Sequence, residues 1–283
     1  IATISKVTDD IVKTVAPGVD SQYIPHSVNT DIFRKVSKED VLAFKKEHFG
    51  DDPEELEKFT FFWNNRNARR KQSGSLIFWF KTFLDKVGHD KARLIMHTEV
   101  NDPHGQDLHA IIRNLGIDNG EVTFSQKKIP PEGLSLMYNM ADCTINIADA
   151  EGFGLATLES LSCETRIIVN MTGGLQEQVT DGEEWFGVGI TPTSRAIIGS
   201  QEIPWIYEDR VSEESVVNAM LEIFNMKKQD REKLGAKGRK HIEKNYNFED
   251  FCATWPKVLT EIHEKNGSWE SRINYNPWSL VEV

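Results

Sequence analysis

Glu151-Gly-Phe-Gly-Leu-Ala-Thr-Leu-Glu159 decides the reading of this chain. It follows a short apolar run, Cys143-Thr-Ile-Asn-Ile-Ala148, with the character of a buried strand. It opens a segment, 155–163, whose apolar residues recur at helical spacing. Two carboxylates therefore flank a glycine-bearing strand-to-helix turn. Gly152 and Gly154 allow positive φ and close approach of a ligand to the backbone. Backbone N–H groups at such a helix start suit phosphate, and carboxylates accept hydrogen bonds from hydroxyls. A ligand with both features is a nucleotide sugar. The acid spacing alone proves little: with 44 Asp and Glu in 283 residues, roughly seven pairs at this separation arise by chance. The glycines carry the argument, and a tight turn without a ligand is the plain alternative.

Working outward, helices and strands alternate. Strands are expected at 59–63, 92–97, 121–125, 143–148, 166–170 and 186–190, and helices near 74–87, 105–115, 132–140, 154–163 and 173–180. The first strand is continuously apolar, as in a buried parallel sheet. The fold class expected is α/β, a Rossmann-like doubly wound parallel sheet. Ligands of such sheets bind beyond the carboxyl ends of the strands. Ahead of the sheet, Ile4 to Val15 reads as a helix capped by Ser5, 19–25 as a strand, and 37–48 as a helix. Beyond it, 191–211 holds Pro192, Gly199 and Pro204 and reads as an irregular loop insertion. Helices are expected at 212–226, 230–244 and about 247–264, the last kinked at Pro256. The tail after Asn266 lacks periodicity.

Composition narrows the partners. A net charge of −11 and the absence of a basic stripe argue against nucleic acid or an anionic membrane. No apolar run approaches the ~20 residues of a membrane span. Cys143, Cys163 and Cys252 read as reduced core thiols, which implies a cytoplasmic setting. No Cys/His spacing suggests a metal site, and Asp9-Asp10 and Asp51-Asp52 read as solvated charge.

Further features lie at strand ends. After 59–63 come Arg66 and Lys71, cations on a loop able to clamp a diphosphate, with Arg69 and Arg70 beside them. After 122–125 come Lys128 and Ile129, whose backbone could meet a base edge. After 167–170 comes Met171-Thr-Gly-Gly-Leu-Gln-Glu177, a second glycine-bearing helix start.

The order Ile24-Pro-His-Ser-Val-Asn-Thr-Asp-Ile-Phe33, Arg66-x4-Lys71, Ala141-Asp142, Glu151-Gly-Phe-Gly-Leu with Glu159, and Thr172-Gly-Gly-Leu-Gln-Glu177 resembles the C-terminal half of retaining GT-B glycosyltransferases of family 4, glycosyl transferases group 1. The resemblance covers roughly residues 1–265. It implies metal-independent, cofactor-free transfer of a sugar from a nucleotide sugar to a carbohydrate, lipid or protein acceptor, with retention of configuration. Arg66 and Lys71 would bind the donor diphosphate. Gly152, Phe153, Gly154 and Leu155 would offer amides to phosphates and sugar, Glu151 would hold sugar hydroxyls and Glu159 the ribose; Lys128, Ile129, Thr172, Gly173 and Gly174 complete the donor site. Residues 1–33 would be the end of an N-terminal acceptor domain and linker, 34–246 the nucleotide-sugar domain, and 247–283 a crossing helix and tail. The remainder of the acceptor domain would be supplied in the same or a separate chain. Departures are Ser27 for Gly, Asn29 for Asp, Asn64-Asn65 for Val-Gly and Gln176 for Pro. The rivals are a non-catalytic donor-binding subunit, an epimerase or phosphorylase on the same fold, and a dinucleotide-dependent dehydrogenase. The last is disfavoured because no Gly-x-Gly-x-x-Gly follows the first strand.

Overall fold

The computed structural model describes residues 1–268 and 270–273. Its centre is a six-stranded, wholly parallel sheet of β3 (Phe59–Asn64), β4 (Ala92–His97), β5 (Val122–Ser125), β6 (Cys143–Asn146), β7 (Arg166–Asn170) and β8 (Val188–Ile190). The strand order is β5-β4-β3-β6-β7-β8, so winding reverses beside β3. Side chains of a strand alternate between faces. Phe59, Phe61 and Trp63 pack into one apolar cluster, and Phe62 into the other. Ile168 and its neighbours Ile167 and Val169 split the same way. The first cluster packs against α4 (Ser73–Val87), α5 (Leu108–Leu115) and α9 (Glu213–Asn225). The second packs against α6 (Pro131–Met140), α7 (Leu155–Ser162), α8 (Leu175–Val179) and α10 (Lys228–Asn245). The doubly wound expectation is thus met, and all strand carboxyl ends share one edge.

Two outlying parts complete the chain. The N-terminal segment contains β1 (Ala2–Thr3), α1 (Lys6–Val15) and β2 (Gln22–Tyr23), with β1 and β2 paired in parallel. Ser5 caps α1 as expected, accepting from the Thr8 N–H. After α2 (Lys38–Phe49) comes a short helix, α3 (Pro53–Glu57): Asp52 caps it and Pro53 fills its first position. The final helix, α11 (Phe248–Asn266), runs through Pro256, and Lys265 at its end pairs with Asp20 at 3.0 Å. Residues 269 and 274–283 of the tail lie outside the described residues.

Four expectations are corrected. The 191–211 stretch is an antiparallel hairpin, β9 (Ser194–Ile197) and β10 (Tyr207–Arg210), because its Pro and Gly residues gather in the tip and flank rather than in the strands. Cys252 is exposed, unlike buried Cys143 and Cys163. Asp9 is buried, not solvated, accepting from Thr3 at 3.0 Å and Ser21 at 3.2 Å while pairing with Lys13. Helix α5 starts at Leu108 rather than near 105 because Asp107 caps it through the Ala110 N–H.

Candidate functional site

The turn after β6 is held by what its glycines permit. Gly154 has φ 95° and Gly173, in the turn after β7, has φ 50°. A Cβ at Gly173 would meet the Glu151 carbonyl oxygen at 1.7 Å, and one at Gly174 the Phe153 Cα at 2.7 Å. The two turns therefore interlock backbone to backbone. Gln178 locks them further by donating to the carbonyls of Phe153 at 2.7 Å and Gly154 at 3.2 Å. Phe153 is buried, edge-on to His26, so its ring anchors the turn while Gly152 and Leu155 are exposed. Gly154 begins α7 without a side-chain cap. The first-turn amides of α7 are thus available to an anion, with the helix dipole in its favour.

Lys71 meets this turn. The single 3-10 turn Arg69–Lys71 after β3 carries its ammonium onto the Glu151 carboxylate. Both side chains are nearly buried, 9% and 11% exposed, and Asn146 donates to the same carboxylate at 3.4 Å. Burial pulls the Lys71 pKa down, and Glu151 opposes that shift. Arg70 reaches the turn from outside, donating to the Ala150 carbonyl at 2.5 Å.

Arg66 goes elsewhere. It grips Asp102, in the loop after β4, through Nε at 2.5 Å and Nη2 at 3.1 Å. The guanidinium holds the Asp102 carboxyl below its usual range. Buried Asn67 stitches the two loops by donating to the carbonyls of Val100 and Gln106. Of the expected pair, then, Lys71 is brought to Glu151 and Arg66 is not.

Glu159 lies in α7, where it accepts from the Tyr138 hydroxyl at 2.7 Å. That hydroxyl accepts in turn from Asn64, at the end of β3, at 2.9 Å. Burial pushes the Glu159 carboxyl up to about 7. Ile129 lines a 690 Å³ cavity beyond the end of β5, with Ser125, Gln126, Phe44 and His48 around it. Lys127, rather than Lys128, shares that wall. Thr172 is buried and donates to Asp209 of the hairpin at 2.9 Å, which fixes the second glycine turn to β10.

Residues 44–241 match the sequence profile of glycosyl transferases group 1. The chain belongs to that family. A 76-residue stretch is 36% identical to a D-inositol 3-phosphate glycosyltransferase of Acidothermus cellulolyticus, covering 27% of this chain and 16% of that protein. Its fold is similar to that of a sucrose-phosphate synthase from Thermosynechococcus elongatus, with a TM-score of 0.71 at 19% identity over 93% of this chain and 58% of that one. It is similar also to Anabaena HepE solved in complex with UDP and glucose, with a TM-score of 0.70 at 14% identity over 92% of this chain and 62% of that one. The chain thus spans under two thirds of these relatives.

In this group 1 chain several site residues escaped the sequence. Asn64 and Tyr138, which join the expected Glu159, come from distant segments that no local pattern links to it. Arg195, Tyr207 and Asp209 of the hairpin border the same cavity as Glu151, Gly152 and Gly173. Their signal was the length of the 191–211 insertion. Among the described residues no helix is long and apolar enough to cross a membrane.

Proposed function

We propose that this chain carries the donor-binding half of a glycosyltransferase, which moves a sugar from a nucleotide sugar to an acceptor with retention of configuration. The observation that carries this reading is the Lys71–Glu151 pair at the open N-terminus of α7: a cation, a carboxylate and free amides meet where β3 and β6 end. In this reading the base lies in the cavity beyond β5 near Ile129, the diphosphate meets Lys71 and the amides of 152–155, and the sugar hydroxyls meet Glu151. Glu159 takes the ribose hydroxyls, and Thr172, Gly173 and Gly174 back the sugar side. Arg66 joins the phosphates by leaving Asp102. The guanidinium is 60% exposed, so water can replace the Asp102 contact as the side chain swings away.

The chemistry is electrostatic. Charge grows on the departing phosphate as the glycosidic bond breaks, and preorganised donors that meet this charge lower the barrier. Lys71 would exchange Glu151 for that phosphate, which frees the carboxylate for hydroxyls of the sugar. The basic loop supplies the countercharge, so no metal is required. Residues 1–33 and 247–283 would belong to the junction with an acceptor-binding domain, and 34–246 would be the donor domain.

The test is a calorimetric screen of nucleotide sugars and nucleoside diphosphates against this chain, with and without EDTA. We expect one nucleoside diphosphate to bind, to survive EDTA, and to weaken about 10- to 100-fold in Lys71→Ala, the worth of one charge-assisted contact. No binding by any of them, or binding that requires Mg²⁺ or Mn²⁺, rejects the reading. Retention is then read from the anomeric proton of the product made by the complete enzyme; an inverted product rejects it.

A further inference from the structure

A second cavity, of 440 Å³, opens beside Glu151, with Arg70 rather than Lys71 in its lining. Exposed Val7 and Ile11 of α1 form one wall, and Glu151, Gly152 and Gly173 the floor. The β9–β10 hairpin forms the far wall. Its register sets Tyr207 opposite Ile197 and Asp209 opposite Arg195. Alternate residues of a strand share a face. Arg195, Tyr207 and Asp209 therefore face the cavity, while Glu208 and Arg210 face away. The outward face is anchored: buried Glu208 accepts from Arg69 at 3.0 Å and from Arg210 at 2.9 Å. The base of β10 is tied in as well, by Asn170 to the Asp209 carbonyl at 2.7 Å.

The cavity has more cation than it uses. Among the described residues, Arg195 commits only its Nε, to Asp209 at 2.7 Å, and Arg70 only one terminal nitrogen, to the Ala150 carbonyl. Each guanidinium has five N–H donors. The carboxylates bordering the cavity are already engaged, Glu151 by Lys71 and Asp209 by Arg195 and Thr172. In a chain of net charge −11, two under-used guanidiniums in one cavity call for an anionic ligand. The exposed ring of Tyr207, with the Arg195 guanidinium 5.7 Å from its centre, gives a flat face for a sugar ring.

We propose that this cavity is a subsite for a saccharide bearing a carboxylate or a phosphate. Its ring lies on Tyr207 and its anionic group sits between Arg70 and Arg195, whose planar forks match both groups. The assignment of this ligand as the acceptor, beside the donor sugar at Glu151, rests on the functional reading above.

The chain is titrated with glucose, glucose 6-phosphate and glucuronate, followed by saturation-transfer NMR, and separately with the nucleoside diphosphate selected by the screen. We expect at least one charged sugar to bind about ten-fold or more tighter than glucose, as a charge-assisted contact would give. Whichever charged sugar is preferred identifies the anionic group. Arg195→Gln should abolish that preference while leaving nucleoside diphosphate binding unchanged; Arg195→Lys, which keeps the charge without the fork, should retain part of it. Equal binding of all three sugars, or an unaltered preference in Arg195→Gln, overturns the proposal. So does a loss of nucleoside diphosphate binding in Arg195→Gln, which would give the cavity to the donor phosphates. Failure of the donor reading looks different: no nucleoside diphosphate binds the unaltered chain, whatever the sugars do.

Discussion

The interlocked glycine turns and the β9–β10 hairpin border one cavity but are built on opposite terms. In the turns, backbone touches backbone, so that one added methyl at Gly173 would overlap the Glu151 carbonyl. In the hairpin only the strand bases are tied down, and the tip carries exposed Ile197, Ile203 and Trp205, the last 70% exposed. A site that must hold phosphate and sugar to within tenths of an ångström needs the first construction. A surface that selects among ligands tolerates the second, since exposed loops vary at little cost to the fold.

The largest effect should come from unpairing the cleft. Lys71→Ala leaves the Glu151 carboxylate buried without its cation, and urea unfolding should report a loss of about 3–5 kcal/mol. Lys71→Met with Glu151→Leu should recover most of it, since an apolar pair of similar volume is often neutral. A double variant as unstable as the single one would mean that the pair is not the cause.

Next comes the interlock. Gly173→Ala brings both a clash and an unfavourable φ, for a combined cost of about 2–4 kcal/mol. Gly152→Ala meets only an Ile4 methyl at 3.8 Å and should cost under about 1 kcal/mol, its damage appearing in nucleotide affinity instead. Equal losses of stability would erase the distinction between locked and open glycines.

A smaller effect is expected at Glu159. Its carboxyl is raised from 4.5 to about 7 in the folded chain, so folding binds a proton in that window. Its stabilising contribution is complete below about pH 4.5 and is lost as pH rises through about 7. Glu159→Gln should flatten the fall in Tm across that range; an unchanged Tm profile would show that the carboxylate is well solvated. Smallest of all, Trp205→Ser at the hairpin tip should move stability by no more than about 0.5 kcal/mol. A larger loss would show that the tip is packed like the turns.

The sheet was legible because each strand is a short apolar run bounded by turn residues, and a parallel sheet needs little else. Lys71 and Glu151 were legible too, each standing beside a signal its own segment provides. The Glu159–Tyr138–Asn64 relay was not, because it joins residues 21 and 74 positions apart. The Arg66–Asp102 pair was hidden for a related reason. Asp102 stands in a loop with no pattern of its own, and the two meet only because β3 and β4 are neighbours. The hairpin was hidden by Pro192, Gly199 and Pro204, which mark a tip and a flank as readily as a loop. Glu208, which should read as surface charge, is buried by its arginines.

Glu177, in the helix that the second glycine turn begins, ties three parts of the chain. Its carboxylate accepts from the Lys6 N–H and the Tyr23 hydroxyl, both at 2.8 Å, and its carbonyl accepts from the Tyr246 hydroxyl at 3.1 Å. Hydrogen exchange of Glu177→Ala should show α1 and α8 loosening together; loosening of α1 alone would mean that nothing is transmitted between them. In mechanical terms the carboxylate is a tendon: a pull on the N-terminal segment is delivered through α8 to the glycine turn that begins it.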